Sequence, residues 1–174
     1  MTCFDMRPGA CLLAGAVLFL FTAPALALAD GHDLAKSPPP AVVTGTCAGG
    51  ANACSVSTAL QPTNARSYKD VSGTAVSFTQ GTAGCAEVSF TAEAATDLGE
   101  VMLTQAVLDG TTICSPAGNI FASDSPSGDL ADHAMNYICP SVSAGAHTVK
   151  IQFRSRFGHK VVLDFRTTIV RYAP

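Results

Sequence analysis

From about Ser67 onward, apolar and polar residues alternate with a period of two, the signature of strands with one face buried. Val76 and Phe78 alternate with Ser77 and Thr79. Val88, Phe90, Ala92 and Ala94 share one side, with Glu87, Ser89, Thr91 and Glu93 on the other. Val101, Leu103 and Val107 alternate with Met102, Ala106 and Leu108, so both faces of that strand are apolar and it belongs in the middle of a sheet. His133, Met135, Tyr137 and Cys139 form a further face, and Asp97-Leu98-Gly99, Asp109-Gly110 and Ser143-Ala144-Gly145 read as turns.

The alternation is clearest at the C-terminal end. His147, Val149, Ile151 and Phe153 lie opposite Thr148, Lys150, Gln152 and Arg154. Val161, Leu163, Phe165, Thr167 and Ile169 then oppose Val162, Asp164, Arg166, Thr168 and Val170. Read as a hairpin closed by Phe157-Gly158-His159, this predicts Phe153 opposite Leu163 and Ile151 opposite Phe165, because a one-residue slip sets Phe153 against Asp164. No stretch carries a helical stripe. The expectation is an all-β domain over residues 67–174, an antiparallel β-sandwich of about seven to nine strands. The step Val142-Ser143-Ala144-Gly145-Ala146-His147-Thr148-Val149 resembles the turn-to-strand step of secreted immunoglobulin-like and jelly-roll sandwiches. That resemblance implies a sandwich and carries no site with it.

Two other segments precede this domain. Residues 30–66 are rich in Pro, Ser, Thr, Gly and Ala, including Ser37-Pro38-Pro39-Pro40 and Ala48-Gly49-Gly50-Ala51. So little apolar surface predicts a flexible lead-in, with room for one short strand near Ala41–Thr46. Residues 1–29 read as a signal peptide: the apolar run Cys11–Ala29 ends Ala27-Leu28-Ala29, the small-x-small pattern of signal-peptidase cleavage. The run is also long enough for an uncleaved anchor, but Pro24 and the Ala-rich end favour cleavage after Ala29. The mature chain is then expected in the periplasm or outside the cell, with no transmembrane span.

In an oxidising compartment the cysteines Cys47, Cys54, Cys85, Cys114 and Cys139 become candidates for disulfides. The expected pairs are Cys47–Cys54 and Cys114–Cys139, which leaves Cys85 over, although spacing alone does not fix the pairing.

The charge is mildly acidic, a net −3, which argues against a nucleic-acid partner. Its distribution is uneven. Lys150, Arg154, Arg156, Lys160, Arg166 and Arg171 all fall in the last 25 residues. They read as solvated strand faces or as a basic patch for an anionic partner such as an envelope polymer.

No residue pattern points to catalysis. The chain has no Gly-x-Ser-x-Gly elbow, and its four histidines stand apart from one another. Asp30-Gly31-His32-Asp33, Asp132-His133 and the loop Asp124–Asp132 lack the spacing of a metal site, so no metal, cofactor or catalytic residue is expected. Trp is absent, and the aromatic contact candidates are Tyr172 and Phe157, the latter flanked by Arg156 and near His159. Phe157 reads either as a partner contact or as a cap on the sandwich end. The expected function is a non-catalytic secreted module with a structural or interaction role. Its partner is expected to be a protein or glycan of the cell envelope. Binding of carbohydrate or of another cell-envelope polymer is the alternative, and a hydrolase comes last.

Overall fold

The computed structural model describes residues 42–46, 51–123 and 128–173, the first segment as backbone only. The expected signal peptide, Cys47 and residues 124–127 lie outside the described residues. The strands are β1 (Val42–Thr46), β2 (Asn52–Ser57), β3 (Gln61–Thr63), β4 (Lys69–Asp70), β5 (Val76–Gln80) and β6 (Gly84–Thr96), then β7 (Val101–Leu108), β8 (Thr112–Ile113), β9 (Asn119–Ser123), β10 (Ala131–Val142), β11 (Gly145–Ser155) and β12 (Val161–Arg171). They form two antiparallel sheets. One runs β1-β2-β12-β6-β10 with β3 also on β12; the other runs β4-β11-β7-β8 with β5 on β11 and β9 on β7. The fold is the all-β antiparallel sandwich that the alternation predicts.

The faces read from the sequence meet between the sheets. Val88, Phe90, Ala92 and Ala94 of β6 pack toward Val149, Ile151 and Phe153 of β11, and all seven are buried. Tyr137 of β10 is fully buried, and its hydroxyl shares a 2.6 Å hydrogen bond with Thr104 of β7. Burial pushes the Tyr137 phenol up to about 12, only partly offset by the Thr104 bond. Cys114, just after β8, is bonded to Cys139 of β10 and staples an edge of one sheet to the edge strand of the other. Beside the staple, Ser115 and Ile138 exchange two backbone hydrogen bonds of 2.7 and 2.8 Å. Cys54 is disulfide-bonded, and Cys85 is an exposed thiol.

Three features depart from the sequence-based expectation. First, β11 and β12 are not a hairpin. β11 pairs with β4, β5 and β7, whereas β12 pairs with β2, β3 and β6. Phe153 and Leu163 face each other's sheet across the core instead of pairing side by side. Alternation fixes which face is buried but not which strand is the neighbour, and both arrangements bury the same residues.

Second, β12 changes face halfway. Its register with β6 jumps from Asp164↔Glu93 to Arg166↔Ala92, which leaves Phe165 without a residue opposite. Phe165 takes a φ of 23° and is 45% exposed, while Arg166 turns inward and is fully buried. This β-bulge overturns the expected shared face of Leu163, Phe165 and Thr167.

Third, residues 52–63, placed in the lead-in by composition, supply β2 and β3. Both pair with β12, and Ala53 joins the core. The hydroxyl-rich composition of β2 suits a strand whose buried members are small (Ser55 and Ser57).

Among the links that carry the chain between the sheets at one end are Asp97–Glu100 and Arg156–Lys160. The crossings are tied together: Asp97 N–H donates to Lys160 O (3.0 Å), Lys160 N–H to Asp97 Oδ2 (2.9 Å) and Arg156 N–H to Val101 O (3.0 Å). Beneath them lies Glu100, fully buried.

Candidate functional site

The side chains of β11 that point away from the core are Thr148, Lys150, Gln152 and Arg154, and those of β7 are Leu103, Gln105 and Val107. Register lays them out in rows across the sheet. Arg154 stands opposite Leu103, which stands opposite Ile120 of β9; Gln152 stands opposite Gln105; Lys150 stands opposite Val107, which stands opposite Ile113 of β8. An amide row therefore runs between two rows that are basic at one end and aliphatic at the other. Leu103 and Val107 are only 7% and 4% exposed although they face outward, because the stems of Arg154 and Lys150 lie beside them. Ile113 and Ile120 are about half exposed, at 49% and 50%.

The polar groups form one connected array. Gln105 Nε2 donates to Gln152 Oε1 (2.8 Å), and Gln152 Nε2 donates to Asp70 Oδ1 (2.8 Å). Lys150 Nζ donates to Asp70 Oδ2 (2.9 Å). The Gln152 and Lys150 bonds hold the Asp70 carboxyl below the usual carboxylate range. The array fixes both amides in orientation, which a lone surface glutamine on a flexible stem does not achieve.

Tyr68, just before β4, lies along the same face. The Arg154 guanidinium sits 5.2 Å from its ring centre. Its hydroxyl reaches Gly118, where a Cβ would come within 2.8 Å of the phenol oxygen. Gly118 is thus needed twice, for its φ of 59° and for the room it leaves the phenol.

The face continues into a basic corner. Ser155 N–H donates to Ala65 O (2.9 Å), which brings the segment before β4 against the end of β11. Arg66 donates from Nε and Nη2 to Phe157 O (3.1 and 2.6 Å), and the Arg156 guanidinium lies 5.3 Å from the Phe157 ring centre. Phe157 is 45% exposed. Of the residues singled out from sequence, Arg156, Phe157 and exposed His159 therefore share this end. Tyr172 does not join them. It sits at the opposite end of β12, partly buried, its ring 5.0 Å from that of Phe78. The Ser/Asp-rich connection after β9 leaves from the same end as Arg156, since Ser123 lies opposite Val101 and Ala131 opposite Ala94. Sequence reading missed Arg66, Tyr68 and Gln105 as site residues. The C-terminal basic run, which includes Lys150 and Arg154, and the polar alternation of Lys150, Gln152 and Arg154 pointed to this face.

At the far end of the sandwich, a hollow of about 310 Å³ is lined by Ser77, Phe78, Thr79, Asp109, Ala146, His147 and Thr148. His147 Nδ1 lies 2.7 Å from Asp109 Oδ2, and Nε2 lies 2.9 Å from Ser143 O and 3.4 Å from Ser143 Oγ. The residue types match a hydrolase triad, but the groups around the ring do not. Both nitrogens face acceptors, the Asp109 carboxylate and the Ser143 carbonyl, an arrangement that favours a proton on each. The Asp109 bond first, then the Ser143 carbonyl, hold the imidazole pKa above its usual value. A ring held this way is a poor base toward the Ser143 hydroxyl.

No protein-family model matches the chain, and no curated protein matches its sequence. Several solved structures are similar in fold. The C-terminal CBM6 of a marine laminarinase from Zobellia galactanivorans is 12% identical, covering 77% of this chain and 93% of that one, with a TM-score of 0.31. A CBM6 from Clostridium stercorarium, solved in complex with cellobiose, is 15% identical over 80% and 90% of the two chains, with a TM-score of 0.26. The CBM22-1 xylan-binding domain from Paenibacillus barcinonensis is 8% identical over 78% and 83%, with a TM-score of 0.31. What this chain shares with them is the β-sandwich architecture.

Proposed function

We propose that this is an exported, non-catalytic β-sandwich module that binds a polysaccharide on the outer face of the β4-β11-β7 sheet. The oriented amide pair Gln105–Gln152, set between two aliphatic rows and beside the Tyr68 ring, carries this reading. A sugar ring presents an apolar face of C–H groups and an equatorial rim of hydroxyls. The first suits Ile113, Ile120 and Tyr68. The second needs fixed donors and acceptors, which the Asp70–Gln152–Gln105 array provides. The non-catalytic part of the reading is supported by His147, whose two ring nitrogens both face acceptors and so make it a poor base toward its neighbouring serine. Arg156, Phe157 and His159 extend the proposed contact surface, and Tyr172, packed on Phe78, supports the opposite end.

Retention on immobilised plant, algal and envelope polysaccharides tests the reading. At least one should retard the protein, and Tyr68→Ala with Gln152→Ala should weaken retention roughly tenfold. Failure to bind any of them, or unchanged retention of the double variant, would overturn it.

Export is supported by the Cys11–Ala29 run with its Ala27-Leu28-Ala29 end and by the Cys114–Cys139 bond, which suits an oxidising compartment. N-terminal sequencing of the native protein should begin at Asp30, and a chain beginning at Met1 would refute cleavage.

A further inference from the structure

We infer that the polysaccharide bound on this face is anionic, its pendant carboxylates or sulfates held at the corner formed by Arg66, Arg154 and Arg156. The inference rests on the glycan-binding reading and adds the ligand's charge class. It starts from a mismatch between the corner and the rest of the chain. The protein is acidic overall, at −3, yet the corner gathers three bases, Arg66, Arg154 and Arg156, with Lys150 a fourth along the face. The one exposed acid among them, Asp70, is spent on Lys150 and Gln152. Arg66, Arg154 and Arg156 have no carboxylate partner among the described residues. The nearest acids at this end are turned to other work: Glu100 is buried under backbone N–H groups, and Asp97 accepts from Lys160 N–H.

The guanidinium groups are positioned but not saturated. Arg66 uses its Nε and Nη2 on Phe157 O, which leaves Nη1 open. Arg154 makes one long bond, 3.4 Å from Nη1 to Arg66 O, while its flat face rests on Tyr68. Arg156 rests on Phe157, and its guanidinium makes no hydrogen bond among the described residues. Contact with an aromatic ring restrains each of Arg154 and Arg156, and neither guanidinium spends its N–H groups on a carboxylate. A guanidinium with free N–H groups can take an oxyanion with two parallel bonds. A neutral glycan asks only for hydroxyl partners and has no use for three unneutralised cations. Carboxylate and sulfate groups present the same forked oxygens to these arginines, so the binding experiment separates them.

The experiment compares the full chain on polygalacturonate, on its carboxyl-reduced neutral form, on a sulfated galactan and on that galactan after desulfation, with a single-stranded oligonucleotide as a further arm. The expected result is at least roughly tenfold tighter binding to one anionic polymer than to its neutral counterpart. The preference should fade as salt rises, because exposed charges are screened beyond ~8 Å at 0.15 M. It should also fall about tenfold in Arg154→Gln/Arg156→Gln. Arg156→Gln alone, which gives up only a contact with Phe157, keeps the fold and should show part of the loss. Equal binding to an anionic polymer and its neutral form overturns the anionic inference and leaves glycan binding standing. Binding to no polysaccharide of either kind removes both. An oligonucleotide bound as tightly as the anionic glycans shows an unselective polyanion surface and also overturns the inference.

Discussion

Replacing Glu100 by alanine should destabilise the fold by about 4 kcal/mol, read as a fall in the urea midpoint at neutral pH. Every acceptor position on this carboxylate is in use. Oε1 accepts from the backbone N–H groups of Val101 (2.7 Å), Arg156 (2.9 Å) and Phe157 (3.0 Å). Oε2 accepts from the Ser155 hydroxyl (2.8 Å) and His159 N–H (2.7 Å). Ser155 Oγ accepts in turn from Gly158 N–H (2.6 Å). One side chain thus gathers two of the sheet crossings at this end, Asp97–Glu100 and Arg156–Lys160, and its loss would leave several donors without partners. Burial alone would raise the Glu100 pKa. The bonds from Phe157, Val101, Ser155 and His159 outweigh it and bring the pKa to about 2. That depression corresponds to about 3 kcal/mol of folding stability. The sign follows from the direction: a carboxylate with a lowered folded pKa stabilises above its unfolded value and loses that contribution as pH falls through the folded one. Glu100→Gln, whose amide N–H₂ would face His159 N–H, should therefore cost about 3 kcal/mol at pH 7. The gap between it and the native protein should close between pH 4.5 and about 2. A gap that stayed constant over that range would show that the carboxylate charge is not what holds the crossings.

The role of Glu100 was not legible in the sequence, where it reads as one more acid after the turn Asp97-Leu98-Gly99. Apart from Val101, its donors lie more than fifty positions away, at Ser155 to His159, and a period-two pattern carries no information about partners at that distance. What alternation does carry is which side of a strand is buried. That is why the faces of β6 and β11 are correct while the pairing of β11 with β12 is not. Local turn chemistry was also readable. Asp109 and Gly110 take φ values of 50° and 75°, the left-handed pair that Asp-Gly favours, at the end of β7. The Cys114–Cys139 bond matches the expected pair, although Cys139 lies within β10 rather than at a strand end.

The candidate site divides the same way. The polar face of β11 stood out as Lys150, Gln152 and Arg154, but its partners Asp70 and Tyr68 are some eighty residues distant. They meet it only because residues 64–68 carry the chain from one sheet to the other. Tyr172 looked exposed because it falls on the more polar face of the last strand, yet its ring rests on Phe78, which arrives from the opposite sheet.

Arg166 tests the bulge directly, since a one-residue insertion is what turns a guanidinium into the core. It is fully buried, and it donates from Nε to Ser72 O (2.8 Å), from Nη2 to Ser72 Oγ (2.9 Å) and from Nη1 to Ala59 O (2.5 Å). These partners lie along the side of the sandwich, beside the middle of β12 and β11, where β2 passes to β3 and β4 to β5. None of the bonds is to a carboxylate. Burial brings the Arg166 pKa down to about 10, with only the field of Asp164 acting against it. The buried charge is therefore a net cost that the planar fork offsets by joining two loops at once. Arg166→Ala should lose about 4 kcal/mol, through a cavity and two orphaned carbonyls. Arg166→Lys should be nearly as damaging: an ammonium is more strongly hydrated than a guanidinium and has no fork to span Ala59 and Ser72. Arg166→Met should be the mildest, at about 2 kcal/mol, because it fills similar volume and buries no charge. The order Met, then Lys and Ala, in chemical-denaturation midpoints distinguishes a geometric clamp from a charge requirement. A lysine variant as stable as the native protein would mean that charge alone suffices and that the fork has no special role.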